Sequence, residues 1–355
     1  MAVVGATGVA GRQALRALSR HPWFEVAAVG SSTRTAGRRL GDVLDAEDGL
    51  PGSSVADLGL TAEVADLVLK DAGSFEADGV DVVFSMLPSD VAAWLEGRLA
   101  ATTPVLSTAA AFRTQPDTPL LLAGVNPWQF EQLDVQRKAR GWKGFVAPGP
   151  NCTTVGLALT LAPLIEAYGV RAVQLTSMQA VSGAGSGARA VRDAVAGNVL
   201  PWIANEEEKV ERECVRILGR RENNDILPAG FPVSATCTRV DVADGHTLSV
   251  SVGLEQPATP AEAATLFQSQ KPFEGRSLPS APDRWIAVRE EPDRPQPRLD
   301  CDAGGGLTTV VGRLRAEPVL GGLKYLVVSH NTVMGAAGGA VLLAEDLLDQ
   351  GYIGG

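Results

Sequence analysis

The amino-terminal end of the chain restricts its fold more than any other segment. Residues 1–4 form a short apolar run, residues 5–11 read Gly-Ala-Thr-Gly-Val-Ala-Gly, and residues 12–20 have the apolar spacing of an amphipathic helix. This order of strand, glycine-rich turn and helix is typical of a dinucleotide-binding unit, because glycine lets the backbone approach a pyrophosphate whose charge the helix N-terminus stabilises. A glycine-rich turn that binds nothing is the alternative. The residues expected to contact a dinucleotide are Gly5, Thr7, Gly8, Val9 and Gly11.

Apolar runs continue to alternate with helical segments through the first part of the chain. Residues 80–87, 104–107 and 120–123 have the composition of strands, and residues 91–101 and 127–140 that of helices. This alternation predicts an α/β fold with a doubly wound parallel sheet. Because 355 residues exceed what one hydrophobic core usually supports, we expect a second domain. We expect the boundary between them at residue 150.

The loop after the second expected strand, residues 25–30, indicates which dinucleotide is bound. NAD enzymes commonly carry an acid there, which bonds the adenosine ribose. Here Ser31-Ser32-Thr33-Arg34 follows instead, and hydroxyls beside a guanidinium suit the 2′-phosphate of NADP. A polar loop with an incidental arginine is the alternative. Beyond this loop, Pro88 and Ser89 follow a strand at the edge where such sheets bind ligands. The expected NADP contacts in these segments are Ser31, Ser32, Arg34, Pro88 and Ser89.

A lone cysteine stands directly before an apolar helical run at residues 157–165. The segment reads Gly149-Pro150-Asn151-Cys152-Thr153-Thr154-Val155-Gly156. Asn151 is a plausible helix cap, and a sulfur at a helix N-terminus meets free N–H groups and the positive end of the dipole, which favour thiolate. Cys152 is therefore a candidate nucleophile. A buried structural cysteine is the alternative.

Longer alternating strands follow, which predict a second domain of the α+β type. In residues 171–181, Gln179 shares a face with apolar residues and should have a specific partner. Asp244-Gly245 is a strong hairpin signal between residues 232–243 and 246–254. The hairpin register would place Arg239 and His246 on one face, about 13 Å apart along the ladder. A core histidine with satisfied hydrogen bonds is the alternative for His246.

Other polar residues allow a less specific interpretation. Glu206 and Lys209, three apart in a helix expected at residues 203–218, have the spacing of an exposed ion pair. Arg113 lies in a loop after a strand, where an exposed surface arginine is the simplest interpretation. His330 precedes a small-residue helix at 332–348 and is expected to have a packing or capping role.

Composition excludes some classes of partner. A net charge of −10 argues against nucleic acid or an anionic membrane, and prolines interrupt the longest uncharged run, residues 144–165. The four cysteines have no metal-binding spacing, so we expect no metal site, and a chain this long needs no disulfides. No basic segment with a long apolar core opens the chain. A cytoplasmic location is expected.

Together these segments resemble the aspartate-semialdehyde dehydrogenase family, in its archaeal and fungal branch, over nearly the whole chain. The matching motifs occur in order: Gly5-Ala6-Thr7-Gly8, Pro150-Asn151-Cys152-Thr153-Thr154, Gln179-Ala180-Val181-Ser182-Gly183-Ala184-Gly185, Glu206-Glu207-Glu208-Lys209, Arg239-Val240 with Gly245-His246, and His330-Asn331-Thr332. The resemblance implies a Rossmann domain at residues 1–150, completed by 331–355, and a catalytic and oligomerisation domain at 151–330. The C-terminal helix would return to the first domain, in a homodimer or homotetramer.

The resemblance also implies roles for single residues. Cys152 would be the nucleophile, His246 the acid/base with an unperturbed pKa, and Gln179 would position the acyl intermediate. For the substrate, Arg239 would bind the carboxylate and Glu206 the amino group. The remaining expected contacts are Lys209 and Arg113 to the substrate phosphate, Asn151 to the substrate, and Ser182, Gly183 and Asn331 to the cofactor.

The implied reaction is NADPH-dependent conversion of L-aspartyl-4-phosphate to L-aspartate-4-semialdehyde, in lysine, threonine and methionine biosynthesis. An acyl-CoA reductase resembling malonyl-CoA reductase is an alternative, because that group shares parts of the stretch at residues 136–145. A second alternative is a non-catalytic NADP-binding sensor. Three features depart from the family: Met334 stands where Arg is common, Gly124 where an acid is usual, and residues 186–192 replace a proline-containing segment. Glu206 favours the amino-acid substrate, since a CoA thioester has no ammonium group.

Overall fold

The computed structural model describes residues 1–46 and 54–354. Within them, the first sheet has six strands: β1 (Ala2–Val4), β2 (Ala28–Ser31), β3 (Leu69–Asp71), β4 (Val83–Ser85), β5 (Val105–Ser107) and β6 (Val146–Pro148). All pair in parallel, in the order β3-β2-β1-β4-β5-β6. This is the dinucleotide-binding order, and ligands bind where it reverses, beyond the carboxyl ends of β1 and β4. The expected doubly wound sheet is confirmed.

Helices cover the two faces of this sheet. They are α1 (Val9–Leu18), α2 (Leu40–Ala46), α3 (Val55–Leu58), α4 (Ala62–Ala65), α5 (Ser89–Ala100) and α6 (Glu131–Arg140). The central strands β1, β4 and β5 are buried along their whole length, which is why their sequences are largely apolar rather than alternating.

The prediction of a strand at residues 120–123 was wrong. This segment is buried, but side chains satisfy its backbone: Gln129 Oε1 accepts from Leu120 N at 2.9 Å, and Asn126 Oδ1 accepts from Leu122 N at 2.9 Å. Two strands of this sheet were not predicted: β3, which pairs with β2, and β6, which pairs with β5. Periodicity alone does not separate a buried strand from a buried irregular segment.

The second sheet is mixed, with both parallel and antiparallel pairs, and its domain is of the α+β type. Its strands are β7 (Val170–Gln179), β10 (Val233–Arg239), β11 (His246–Leu254), β12 (Ile286–Arg289), β13 (Thr309–Glu317) and β14 (Gly322–Ser329), in the order β10-β7-β11-β14-β13-β12. A small hairpin adds β8 (Arg220–Glu222) and β9 (Asp225–Leu227). The helices are α7 (Cys152–Tyr168), α8 (Ala188–Val195), α9 (Glu206–Ile217), α10 (Pro260–Gln268), α11 (Pro297–Asp300) and α12 (Gly338–Asp349).

The predicted hairpin at Asp244-Gly245 was wrong, because β10 and β11 are not neighbours. The ten-residue strand β7 lies between them, parallel to β10 and antiparallel to β11. The backbone N–H groups of Val181 and Ser182, just beyond β7, donate to Val242 O and Ala243 O. These contacts take the place of the expected hairpin pairing.

The C-terminal segment returns to the first domain. A π-helical turn, Val333–Ala337, leads into α12, which packs against α1. His21 Nε2, just after α1, lies 2.7 Å from the buried Glu345 Oε1 of α12. His21 therefore joins the end of α1 to the C-terminal helix. None of the helices in the described ranges has the length and apolarity needed to cross a membrane.

Candidate active site

Cys152 is the first residue of α7, and its sulfur faces a histidine. Asn151 caps the helix, since its Oδ1 accepts hydrogen bonds from Thr153 N at 2.8 Å and Thr154 N at 3.3 Å, as predicted. Cys152 Sγ lies 3.3 Å from His246 Nε2, the first residue of β11. A nucleophile and a titratable partner within contact distance are the core of a covalent catalytic site.

The orientation of His246 is set by the strand beside it. Ala180 N donates a hydrogen bond to His246 Nδ1 at 3.1 Å. Because a backbone N–H only donates, Nδ1 is the acceptor, and the proton of the neutral ring is on Nε2. The imidazole therefore presents an N–H group to Cys152.

Gln179, at the end of β7, lies between the strands that carry Arg239 and His246. In the sheet register Gln179 is opposite Arg239, and Thr247, next to His246, is opposite Met178. Arg239 Nη1 donates to Ala180 O at 2.8 Å. The structure thus brings Arg239 and His246 together through three adjacent strands.

Gly183 lies against the Arg239 and His246 side chains. A Cβ built on Gly183 would be 2.7 Å from Arg239 Nη1 and 2.8 Å from His246 Cε1. A side chain there would displace one or both groups. Only glycine therefore fits at position 183 without moving these side chains.

A buried carboxylate connects three of the expected site residues. Glu206 is 7% exposed, and its Oε1 accepts hydrogen bonds from Asn151 Nδ2 at 2.9 Å and Gln179 Nε2 at 3.1 Å. Lys209 Nζ lies 3.9 Å from Glu206 Oε2, so the ion pair exists. The interpretation of Glu206 as an exposed residue was wrong, because the first turn of α9 faces the helix cap at Asn151.

Arg113 is likewise buried, which contradicts the simplest interpretation of it as a surface arginine. It is 7% exposed, Nη1 lies 3.1 Å from Glu213 Oε1, and Nη2 donates to Thr108 O at 2.8 Å. Its Nε is buried and has no hydrogen-bond partner among the described residues. That N–H group is available to an anionic ligand.

Two residues of this site were missed from the sequence. Glu213 Oε2 accepts a hydrogen bond from Asn151 N at 2.6 Å while Glu213 also binds Arg113. The signal was its spacing of seven from Glu206, which puts both carboxylates on one helix face. Gly335 was also missed. A Cβ there would lie 2.8 Å from Cys152 Cβ, so glycine lets the C-terminal segment approach the nucleophile.

Burial shifts the pKa values of the central pair away from ionisation. Desolvation, followed by the charge of Glu206, raises the pKa of Cys152 to about 12, against the opposing effects of Arg113 and Arg239. Desolvation, then Arg239 and His330, lowers the pKa of His246 to about 3. The expectations of a favoured thiolate and of an unperturbed histidine were both wrong, because the helix terminus does not offset the loss of water. The resting pair is a neutral thiol beside a neutral imidazole.

A cavity of about 220 Å³ joins the nucleophile to the dinucleotide loop. Its lining includes Cys152, Arg113, Ser182 and Asn331, with Val9 from the first turn of α1. Gly8 is the N-cap of α1, and no side chain caps that helix. Gly5 has φ 87°, and a Cβ on it would lie 2.4 Å from Met86 O. These features fit a pyrophosphate, which needs glycine-lined space and an open helix N-terminus.

Of the other expected cofactor contacts, Ser182, Gly183 and Asn331 line this cavity, and the rest lie outside its lining. A Cβ on Gly11 would be 2.1 Å from Gly5 O, so the turn closes tightly on α1, whereas Thr7 is only partly buried. Pro88 is the N-cap of α5, and Ser89 Oγ accepts from Ala110 N at 3.1 Å. Asn331 Nδ2 donates to Ser182 Oγ at 2.9 Å.

The loop after β2 differs in part from expectation. Ser32 and Arg34 are exposed, but Ser31 is buried and its hydroxyl accepts a hydrogen bond from Thr35 Oγ1 at 2.8 Å. The side chain of Ser31 is therefore not presented on the loop surface, which corrects its expected role. An acidic side chain also lies at this loop. Thr33 Oγ1 donates a hydrogen bond to Oδ1 of Asp71, a residue of β3, at 3.1 Å. The sequence did not indicate that Asp71 lies near this loop, because β3 comes to lie beside β2 only in the folded sheet.

Met334 and Gly124 do not contribute side chains to the cavity at Cys152. Met334 is buried and lines a small neighbouring cavity with Leu122 and Val155, and this cavity shares Thr108, Gly335 and Ala336 with the one that contains Cys152. Gly124 has φ 70°, and a Cβ there would lie 2.9 Å from both Pro272 and Trp285. Neither residue lines the cavity at Cys152.

The ligand-binding edge of the Rossmann sheet faces a cysteine at a helix N-terminus and a histidine on the mixed sheet. This arrangement defines the class of cysteine-dependent aldehyde dehydrogenases that bind a nicotinamide dinucleotide. Two family profiles match: "Semialdehyde dehydrogenase, NAD binding domain" over residues 1–133, and "Semialdehyde dehydrogenase, dimerisation domain" over residues 161–334. The aspartate-semialdehyde dehydrogenase of Archaeoglobus fulgidus is 43% identical over 99% of this chain and 98% of its own. That of Methanothermobacter thermautotrophicus is 39% identical over 97% of each. The chain belongs to the aspartate-semialdehyde dehydrogenase family.

The fold agrees with a solved structure over the full length. The crystal structure of aspartate semialdehyde dehydrogenase with NADP from Candida albicans aligns with a TM-score of 0.85 at 35% identity, covering 99% of both chains. The resemblance inferred from the motifs is thus confirmed. The match to a dimerisation domain supports an oligomer.

Proposed function

We propose that the chain catalyses the NADPH-dependent reductive dephosphorylation of L-aspartyl-4-phosphate to L-aspartate-4-semialdehyde, in lysine, threonine and methionine biosynthesis. The main support for this reaction is the distance of 3.3 Å between Cys152 Sγ and His246 Nε2. The cavity at Cys152 is also lined by the first turn of α1. The curated relatives of similar length have that activity in their names.

NADP is the proposed cofactor, and bound NADPH supplies the hydride. Its pyrophosphate fits the turn at Gly5, Gly8 and Gly11, and the exposed Ser32 and Arg34 are suited to the 2′-phosphate. The solved structure of the Candida albicans relative contains NADP.

In the first half-reaction, Cys152 attacks the acyl carbon of the substrate. The carbon–sulfur bond forms, the bond to the phosphate oxygen breaks, and the departing phosphate carries away the thiol proton. His246 donates its Nε2–H to the sulfur and stabilises the developing negative charge without becoming charged itself. Gln179, held by Glu206, orients the acyl group. In the second half-reaction the carbon–sulfur bond breaks, the Cys152 sulfur leaves as a thiolate opposite Nε2–H, and a proton from solvent restores the thiol.

Three charged side chains match the three ionic ends of the substrate. Arg239, beside His246, suits the carboxylate, and the Glu206 carboxylate suits the ammonium group. Arg113 offers its free Nε–H to the phosphate, with Lys209 as a second cation. A CoA thioester has no ammonium group to compensate the buried charge of Glu206, so the amino-acid substrate is favoured.

We further propose that residues 1–150, completed by 331–355, form the cofactor domain, and residues 151–330 the catalytic and oligomerisation domain. The oligomer is a homodimer or homotetramer. Cys152, Cys214, Cys237 and Cys301 are free thiols, which supports a reducing compartment, the cytoplasm.

Steady-state kinetics test the proposal. The protein should oxidise aspartate semialdehyde with NADP only when phosphate is present, and Cys152→Ala should abolish turnover while still binding NADP. Glu206→Ala should lose most of kcat/KM. Efficient reduction of malonyl-CoA with no semialdehyde activity would replace the substrate assignment, and full activity of Cys152→Ala would overturn the mechanism.

A further inference from the structure

A second cluster of metal-ligating side chains lies outside the candidate active site. The ligand atoms of Cys301, Asp302 and His330 all lie within 4.8 Å of one another. Zn²⁺ binds thiolate, carboxylate and imidazole, and three protein ligands leave a fourth position for water. We propose that Cys301, Asp302 and His330 form a binding site for Zn²⁺ or a similar divalent cation that prefers sulfur and nitrogen. The sequence predicted no metal site because the ligands come from separate loops.

The imidazole of His330 is held in the orientation that this site needs. Nε2 lies 3.6 Å from Asp302 Oδ1, while Nδ1 lies 3.4 Å from Thr332 Oγ1. A histidine that binds metal through one nitrogen usually forms a hydrogen bond through the other, which fixes the ring. Gly306, with φ 86°, would place a Cβ 3.1 Å from His330 Cδ2, so glycine lets the Asp302 loop lie against the ring.

Negative charge surrounds the cluster on the ligand side. Burial raises the pKa of Cys301, and the charges of Asp302 and Asp244 add to that effect. Burial lowers the pKa of His330, whereas Asp244 and Asp302 oppose it and Arg16 adds to it. The Asp302 and Asp244 carboxylates therefore both act on the two buried ligands. A divalent cation would compensate these charges.

The site has an access route. Asp302 and His330 line a cavity of about 410 Å³ between α1 and the C-terminal segment, and the exposed Asp302 borders solvent. Arg16, on α1, lines the same cavity and is the cation that would oppose binding. On binding, a sulfur–metal bond replaces the thiol S–H bond of Cys301, and the proton leaves to solvent.

The proposed site is connected to the candidate active site through the backbone. A Cβ on Gly245 would lie 2.8 Å from Cys301 Cβ, and Gly245 immediately precedes His246. Gly245 N donates to Asn331 Oδ1 at 2.9 Å, and Asn331 follows His330. A cation that joins Cys301 to His330 would therefore restrain the segment that positions His246.

Titration of the metal-free, reduced full-length protein with Co²⁺ tests the proposal directly. Thiolate-bound Co²⁺ has a charge-transfer absorption in the near ultraviolet, and we expect it to saturate at one Co²⁺ per chain. Excess Zn²⁺ should displace Co²⁺ and raise the Tm, whereas Mg²⁺ should do neither. Cys301→Ser should lose the thiolate absorption. Asp302→Asn, at an exposed position, should weaken Co²⁺ affinity by roughly tenfold or more without affecting folding.

Cys152→Ser and Cys237→Ser are the matched cysteine controls, and both should keep the absorption. If Cys152→Ser loses it and Cys301→Ser retains it, the metal binds the catalytic pair and the proposal is wrong. The absence of thiolate absorption in the unsubstituted protein would overturn it equally. Should Cys301→Ser fail to fold, the Asp302→Asn affinity decides: an unchanged value contradicts the proposal. None of these binding measurements depends on the proposed reaction.

Discussion

Glu206 raises the pKa of Cys152, although the same carboxylate holds Asn151, the cap of the cysteine's own helix. One residue thus organises the site and disfavours the thiolate. In the proposed reaction, the ammonium group of the substrate would neutralise Glu206 when it binds. The second-largest cause of the raised Cys152 pKa would then be removed in the complex, while desolvation, the largest cause, would remain.

Alkylation kinetics measure this relationship. Because the pKa of Cys152 is about 12, its alkylation by iodoacetamide in the free protein should rise about tenfold per pH unit from pH 7 to pH 9, without a plateau. Glu206→Gln should raise the rate at any given pH by about tenfold, equivalent to one pKa unit. Glu208→Gln, an exposed neighbour on the same helix, is the control and should have no effect. A plateau near pH 7 in the unsubstituted protein would show that burial does not raise the pKa of Cys152.

Gly183→Ala should disable the site without unfolding the protein. The added Cβ would displace Arg239 or His246, and a displacement of about 1 Å is sufficient to lower kcat/KM by about a hundredfold. Gly187→Ala lies in the same segment, where nothing is within 4 Å of an added Cβ, and it should retain full activity. Equal activity of the two variants would show that Gly183 does not set the positions of these side chains.

Arg34→Ala should reduce the preference for NADP over NAD. Loss of one charge-assisted contact with the 2′-phosphate is worth about 1.5–3 kcal/mol, or roughly 10- to 150-fold in relative kcat/KM. Arg38→Ala removes another exposed arginine of the same loop region and should leave the ratio unchanged. The ratio of kcat/KM for the two cofactors is the measurement, and an unaltered ratio in Arg34→Ala would assign the 2′-phosphate to other residues.

The protein should lose stability in mild acid through His246. Its folded pKa of about 3 lies below the ordinary value of 6.5, so the unfolded chain binds the extra proton. The contribution is fully present above pH 6.5, and the free energy of unfolding falls by about 1.4 kcal/mol per pH unit as the pH drops towards 3. Denaturant unfolding of His246→Asn at pH 7 and pH 5 should show a smaller decrease than that of Cys152→Ser, which retains the histidine. Parallel decreases would mean that His246 does not govern the acid sensitivity.

Local features of this site were predictable from the sequence. The turn at Gly5, the cap at Asn151 and the start of the helix at Cys152 depend on contacts within a few residues, so their patterns are complete in the sequence. The buried face of β7 followed from strict alternation, which also predicted that Gln179 has a polar partner.

Strand order is not contained in local patterns. The Asp244-Gly245 turn signal predicted a hairpin, but β7 pairs with both β10 and β11 along its length, and these two ladders of backbone hydrogen bonds outweigh a two-residue preference. The closeness of Arg239 and His246 was expected from the wrong pairing and arises from β7 between them.

The burial of the charged side chains and the shifts in their pKa values could likewise be determined only from the folded structure. Arg113 and Glu213, like Glu206 and Asn151, are far apart in the chain and meet only where the two sheets' helices pack together. Whether a side chain is solvated depends on that packing, and desolvation is the largest cause of the shifts at Cys152 and His246. Residue types and their spacing therefore identified the chemical groups, while long-range packing set their environment and protonation.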